Sequence, residues 1–249
     1  WGITAAQLAA SGITANVGVL EEPRGYIHIM NEDAAPGFTE LAGSIGDPLA
    51  IDEVGICIKA YPSCNYTHRP IEAMLQLRDE VGDVSAIDAM SIKVPRSFYD
   101  VASRHAPQTP PQARFSITWC LAAAAVDGNV RIGHFEPEAL QRADLCALES
   151  MIGVEPFEPP GGASDMVASV PDTLDIKLNS GKTLSATIGT VRGSPAWPMT
   201  TSEHQAKFAD CLSAFAHENR SADIFNQLQS FDSDQPVDEL LDCLSLDHQ

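Results

Sequence analysis

The stretch Leu174-Asp-Ile-Lys-Leu178-Asn-Ser-Gly-Lys182-Thr-Leu184-Ser-Ala-Thr-Ile188 decides the fold class. Leu174, Ile176 and Leu178 alternate with polar residues, and so do Leu184, Ala186 and Ile188. That period of two turns one face of a strand toward a core. Asn179-Ser-Gly-Lys182 between the runs carries turn residues, so the segment reads as a β-hairpin. Working outward, the same alternation recurs in Val54-Gly-Ile-Cys-Ile-Lys59 and over 87–94, where Met90, Ile92 and Val94 share a face. These three places predict the strands.

The remaining periodic stretches have helical spacing. Thr67 reads as the cap of a helix to about residue 81, with Pro70 in its first turn and Ile71, Met74, Leu75 and Leu77 on its apolar side. Residues 115–126 form an apolar, Ala-rich helix that stops at Asp127-Gly128, and 137–151 another. The helix predicted over 201–217 offers Ala206, Phe208, Ala209, Leu212 and Phe215 for burial, and shorter ones follow at 222–228 and 237–244. At the start, Ala5, Leu8 and Ala9 make a helical stripe that ends at Gly12. A short helix is expected over 36–43, with 13–35 irregular and 95–112 a loop around Pro107, Pro110 and Pro111. The order predicts an α+β fold: a mixed insert, residues 55–192, between two pieces of one helical domain, 1–54 and 193–249.

Composition narrows the functions. The chain has 249 residues, 44% apolar and 20% charged, as a globular protein does and a disordered one does not. Nowhere is there an apolar run of the roughly 18 residues that a membrane helix needs. A net charge of −19 argues against a nucleic-acid partner, because polyphosphate repels such a surface. The charge is uneven: residues 55–131 hold eight basic against seven acidic side chains, leaving −20 on the rest. A solvated surface and a local anion site both fit that count. Cys57, Cys64, Cys120, Cys146, Cys211 and Cys243 are scattered without a CxxC pair, which gives no zinc motif and suggests reduced thiols of a cytoplasmic protein. No GxGxxG, P-loop or HExxH is present.

Chemistry concentrates in Lys59-Ala-Tyr-Pro-Ser-Cys-Asn-Tyr-Thr-His68. A lysine leaves a predicted strand, a proline turn follows, and a helix begins at Thr67-His68. Backbone N–H groups at a helix start favour an anion, and Lys59 adds a full charge. A bland reading stands beside this one: exposed Lys59, capping Thr67, surface His68. Metal ligation by Cys57, Cys64 and His68 has the wrong spacing, and a Cys64 nucleophile beside His68 rests on proximity alone.

These residues bring a family with them. Lys59-Ala-Tyr-Pro-Ser-Cys64 with Thr67-His68-Arg-Pro-Ile-Glu-Ala73 resembles the K-x-Y-P-x-C-x-x-T-H-x-x-I-x-A stretch of the MmgE/PrpD family, which includes 2-methylcitrate dehydratase, cis-aconitate decarboxylase and iminodisuccinate epimerase. Ala113-Arg-Phe-Ser-Ile-Thr-Trp-Cys-Leu-Ala122 with Asp127-Gly128, Pro198-Met-Thr200 with Lys207-Phe208, and the opening Ala5, Leu8 and Gly12 are similar to further family stretches in the same order. The resemblance implies a C-terminal half: the end of a large all-helical domain (1–54), a smaller α+β lid (55–192) and returning C-terminal helices (193–249). The uncapped helix at residue 1 fits that expectation, and residues 1–249 alone are expected to be inactive.

The resemblance further implies a homodimeric lyase or isomerase that needs neither metal nor organic cofactor. It would act on a small anionic polycarboxylate by removing a proton next to a carboxylate. Lys59 matches the lid lysine of the site and takes the catalytic role, while His68, Cys64, Arg114 and Trp119 are the candidate substrate-binding residues. Cys64 falls where the decarboxylases carry a His, and Trp119 where many members carry a Tyr, so the dehydratase is the nearer expectation. Epimerisation, decarboxylation and a non-catalytic, dimeric anion-binding relative are the alternatives.

Overall fold

In the computed structural model the described residues are 1–20, 22, 24–30, 43, 45–160, 170–213, 220–231, 236–238 and 241. They fall into two compact units, Trp1–Gly55 and Ile56–Gln249. In the first unit, α1 (Gly2–Ala10) ends where Gly12 takes φ 90°, and its side chains are all exposed. α2 (Tyr26–Met30) lies in the stretch expected to be irregular, and α3 is Ala50–Val54. The helix expected over 36–43 lies outside the described residues, Gly43 apart.

The second unit is α+β. Its elements are α4 (His68–Val81), β1 (Ile87–Pro95), α5 (Arg96–Ala102), α6 (Pro110–Arg114), α7 (Ile117–Asp127), α8 (Ala143–Glu149), β2 (Ile152–Phe157), β3 (Asp172–Leu178), β4 (Thr183–Ile188), α9 (Thr201–Leu212) and α10 (Ser221–Ser230). The hairpin forms as its alternation requires. β3 and β4 pair antiparallel with Leu174 opposite Ala186 and Ile176 opposite Leu184, and Gly181 turns the chain at φ 85°. The sheet order is β2-β1-β3-β4, with β1 antiparallel to β3 and parallel to β2.

One face of this sheet is dry. Met90, Ile92 and Val94 are buried as read, and a register shift between Ile87 and Ala89 lets Ile87 join them despite its parity. α4 lies across β3 and β4 with Ile71, Ala73, Met74, Leu77 and Val81 buried, and α7 packs against α4. Burying each of the larger of these side chains contributes about 1.5–3 kcal/mol. α7 is apolar all round because it is interior all round. Ser116 caps its start by accepting the Trp119 N–H at 3.1 Å, and Gly128 ends it in the left-handed conformation.

Several expectations are corrected. The strand expected over 54–59 does not form: Val54 ends α3, Ile56 and Ile58 are exposed, and the Ile58 N–H bonds the Gly193 carbonyl at 2.8 Å without a ladder around it. Alternation makes a strand only where a neighbour supplies the ladder. The loop over 95–112 contains α5 and α6, because Pro110 and Pro111 occupy the first turn of α6, where a missing N–H costs nothing. The helix over 137–151 is a 3-10 turn, Ala139–Gln141, followed by α8. In α9, Ala206 is exposed while Phe208, Ala209 and Leu212 are half-buried, and Phe208 meets Phe225 of α10 at 5.6 Å between ring centres. Phe215 and most of 237–244 lie outside the described residues.

Among the described residues no helix is long and apolar enough to cross a membrane.

Candidate functional site

The segment from Lys59 to His68 folds into a small polar knot. A 3-10 turn, Asn65–Thr67, leads into α4 at His68. Contrary to the expectation from sequence, the Thr67 side chain does not cap α4. Its hydroxyl donates instead to the Cys64 carbonyl at 2.8 Å and meets the Ser63 hydroxyl at 2.7 Å. The Cys64 N–H donates to the Arg114 carbonyl at 2.8 Å, which ties this segment to the start of α7. The Lys59 ammonium donates to the Ser63 carbonyl at 3.3 Å and is otherwise exposed. Lys59, Cys64, His68 and the backbone of Arg114 are therefore brought together.

His68 is not the surface residue of the bland reading. It is fully buried, and neither ring nitrogen makes a well-formed hydrogen bond. The Tyr61 ring meets it edge-on at 5.2 Å. Burial first, then the Lys59 charge, pushes the imidazole down to about 4, with Lys207 acting the same way and the Ser63 and Tyr61 backbone opposing. His68 is neutral at physiological pH, and its burial leaves it to position neighbours rather than to touch a ligand. The unfolded chain binds the proton that the folded one refuses between about pH 6.5 and 4, so stability falls as pH falls through that window. Against wild type, His68→Phe is expected to gain up to about 3 kcal/mol in urea unfolding as the pH is taken from 7 to 4. A constant difference across that range would remove His68 as the titrating group.

Arg114 and Trp119 are placed differently. The Arg114 guanidinium is exposed over the Phe135 ring at 5.9 Å. Trp119 is only 1% exposed, its indole N–H donates to the His134 carbonyl at 3.0 Å, and it is not among the residues lining the cavities described below. Beneath the knot, burial pushes the Cys120 thiol up to about 12, so it is a protonated core residue.

A cavity of about 580 Å3 opens beside the knot, lined in part by Tyr61, Glu72, Arg192, Trp197 and Lys207. The Tyr61 hydroxyl donates to Glu72 Oε1 at 2.6 Å, and Arg192 stands 3.6 Å from Glu72 Oε2. Arg192 also pairs with Glu203 and lies over Trp197 at 5.3 Å. Burial raises both Tyr61 and Glu72, so the phenol stays protonated as donor; the Tyr61 hydrogen bond and Arg192 pull Glu72 back. This Tyr61–Glu72–Arg192 chain is not legible in sequence: its members are 11 and 120 residues apart, and only the carboxylate at 72 inside an apolar helix face hints at it.

Gly193 holds the knot to its surroundings. It has φ 86°, and a Cβ there would be driven into the Ile58 carbonyl, one residue from Lys59. Gly193→Ala is expected to cost more than about 1 kcal/mol and to weaken any ligand contact made by Lys59. Unchanged thermal unfolding would show that the loop relaxes freely.

Comparison with curated proteins gives no match. A family profile, the MmgE/PrpD C-terminal domain, matches residues 61–230, which takes in the sheet, α4 to α10, and the knot from Tyr61 onward. With more than two thirds of its length inside that match, the chain belongs to the MmgE/PrpD family.

Proposed function

We propose that this chain supplies the carboxylate-binding side of a cofactor-independent lyase or isomerase, of 2-methylcitrate dehydratase type, acting on a small polycarboxylate. The observation that carries the reading is an exposed ammonium, Lys59, held by a backbone carbonyl rather than by a carboxylate, at the edge of the family-matched segment. Such a group is free to neutralise a substrate carboxylate. When a proton leaves the adjacent carbon, the negative charge that spreads onto that carboxylate is stabilised by the same ammonium, which favours the transition state over the ground state. The Ser63 carbonyl keeps the ammonium in place without adding a competing charge. Cys64, half-exposed, lies beside them and is tied by its N–H to the Arg114 carbonyl. The assembly that accompanies this reading is a homodimer.

Binding tests the reading without presupposing a reaction. Titration calorimetry of the intact protein with tricarballylate, a tricarboxylate with no leaving group, should give saturable binding that weakens when Lys59 becomes Met. Absence of binding to any polycarboxylate would sink the proposal. Turnover is expected to survive EDTA, and Cys64→Ser is expected to keep most of it, because the chemistry needs neither a Lewis acid nor a thiolate. Loss on chelation restored by one divalent ion would refute that part.

A further inference from the structure

The late motif Pro198-Met-Thr200 with Lys207-Phe208 has no part in the chemistry proposed so far, although its lysine lines the cavity beside the knot. α9 carries Lys207 and begins with a capping box in which Thr200 and Glu203 satisfy each other's backbone N–H groups. Among the described residues, the carboxylates that line the cavity with Lys207 have other partners. Glu203 pairs with Arg192, Glu72 takes the Tyr61 hydroxyl and faces Arg192, and Asp210 accepts the Ile132 N–H at 3.0 Å. Lys207 is a half-buried residue whose ammonium has the Cys211 sulfur at 4.0 Å and forms no ion pair among the described residues.

Its position matters as much as its want of a counter-ion. Lys207 lines the 580 Å3 cavity together with Ala60 and Tyr61. It also lines a second cavity, about 200 Å3, together with Ile58. Both cavities therefore join α9 to the residues on either side of Lys59. Lys59, like Lys207, forms no ion pair among the described residues. Both cations act on the same buried imidazole, that of His68.

We propose that Lys207 is a second carboxylate-binding residue of the same site, so that Lys59 and Lys207 together take two carboxylates of one di- or tricarboxylate. This rests on the reading of the preceding subsection and adds its second anchor. Two ammonium groups facing one ligand would repel each other, and each would give up hydration on entering the contact. A bound dianion relieves both costs, whereas a monoanion relieves one. Selectivity for ligands with at least two carboxylates follows from that difference.

The test is titration calorimetry of the intact protein with tricarballylate and with succinate. Lys207→Met should weaken both by roughly tenfold to a hundredfold, the loss expected for one charge-assisted contact. Lys207→Arg, which keeps the charge, should stay within about threefold, and Lys207→Gln serves if the Met variant does not fold. Thermal unfolding of each variant separates lost binding from lost structure. Unchanged affinity in folded Lys207→Met, with Lys59→Met still impaired, would remove Lys207 and leave the carboxylate site standing. Unchanged affinity in both variants, or no binding by wild type, would overturn the site and this inference with it.

Discussion

Replacing Asp172 with alanine is expected to destabilise the α+β unit by about 3–5 kcal/mol, the cost of removing one partner of a buried ion pair. Arg69 is 2% exposed on α4 and Asp172 is wholly buried at the start of β3, with 2.6 Å between guanidinium nitrogen and carboxylate oxygen. The guanidinium also donates to the Val170 carbonyl at 3.3 Å and sits 4.7 Å over the Phe98 ring. Burial raises the Asp172 carboxyl, and Arg69 opposes that rise. Without the carboxylate, the buried Arg69 guanidinium loses its Asp172 counter-charge between the helix and the sheet it covers. The contact spans 103 residues of chain, so its loss loosens the packing of α4 on the hairpin rather than one local turn. Urea unfolding followed by circular dichroism measures the effect. The double variant Arg69→Met/Asp172→Leu, which removes both charges, should recover most of the loss. A change below about 1 kcal/mol in Asp172→Ala would show that water reaches the pair.

The second large effect concerns catalysis. Lys59→Met in the intact protein is expected to lower kcat/KM by roughly tenfold to a thousandfold, corresponding to a lost charge-assisted contact of about 1.5–4 kcal/mol. Stability should barely move, because the ammonium is exposed and its one hydrogen bond is to the Ser63 carbonyl. The partition between constants is informative. A rise in KM alone would mean that Lys59 holds substrate and transition state equally, whereas a fall in kcat would place it against charge that develops during proton removal. Unaltered kinetics would take Lys59 out of the site.

Local periodicity and turn chemistry make the hairpin, the buried face of β1 and the apolar helix α7 readable in the sequence. β2 was not readable. Ile152-Gly-Val-Glu-Pro-Phe157 has Gly153 and Pro156 within it, and it forms a strand because it lies on the sheet edge, where a missing N–H is tolerated, and pairs parallel with β1. The reverse error at 54–59 has the same root: a strand is a property of a pair, and alternation in one segment does not reveal its partner. The knot from Lys59 to His68 was legible because its residues are neighbours in sequence. Arg69 with Asp172, Tyr61 with Glu72 and Arg192, and Lys207 with Ile58 and Ala60 around shared cavities are joined by the fold alone. His68 was legible as a residue of interest but not as a buried one, since a first-turn histidine shows its depth only once the sheet and α7 are packed against it.

One measurement bears most directly on the proposed chemistry. The intact protein is incubated, with EDTA present, with 2-methylcitrate, cis-aconitate and iminodisuccinate in turn, and products are followed by NMR. The account predicts that one of the three is converted, to the product expected when a proton leaves the carbon next to a carboxylate, and that Lys59→Met slows that conversion while remaining folded. A folded protein that leaves all three unchanged, or one whose turnover ignores Lys59, would contradict it.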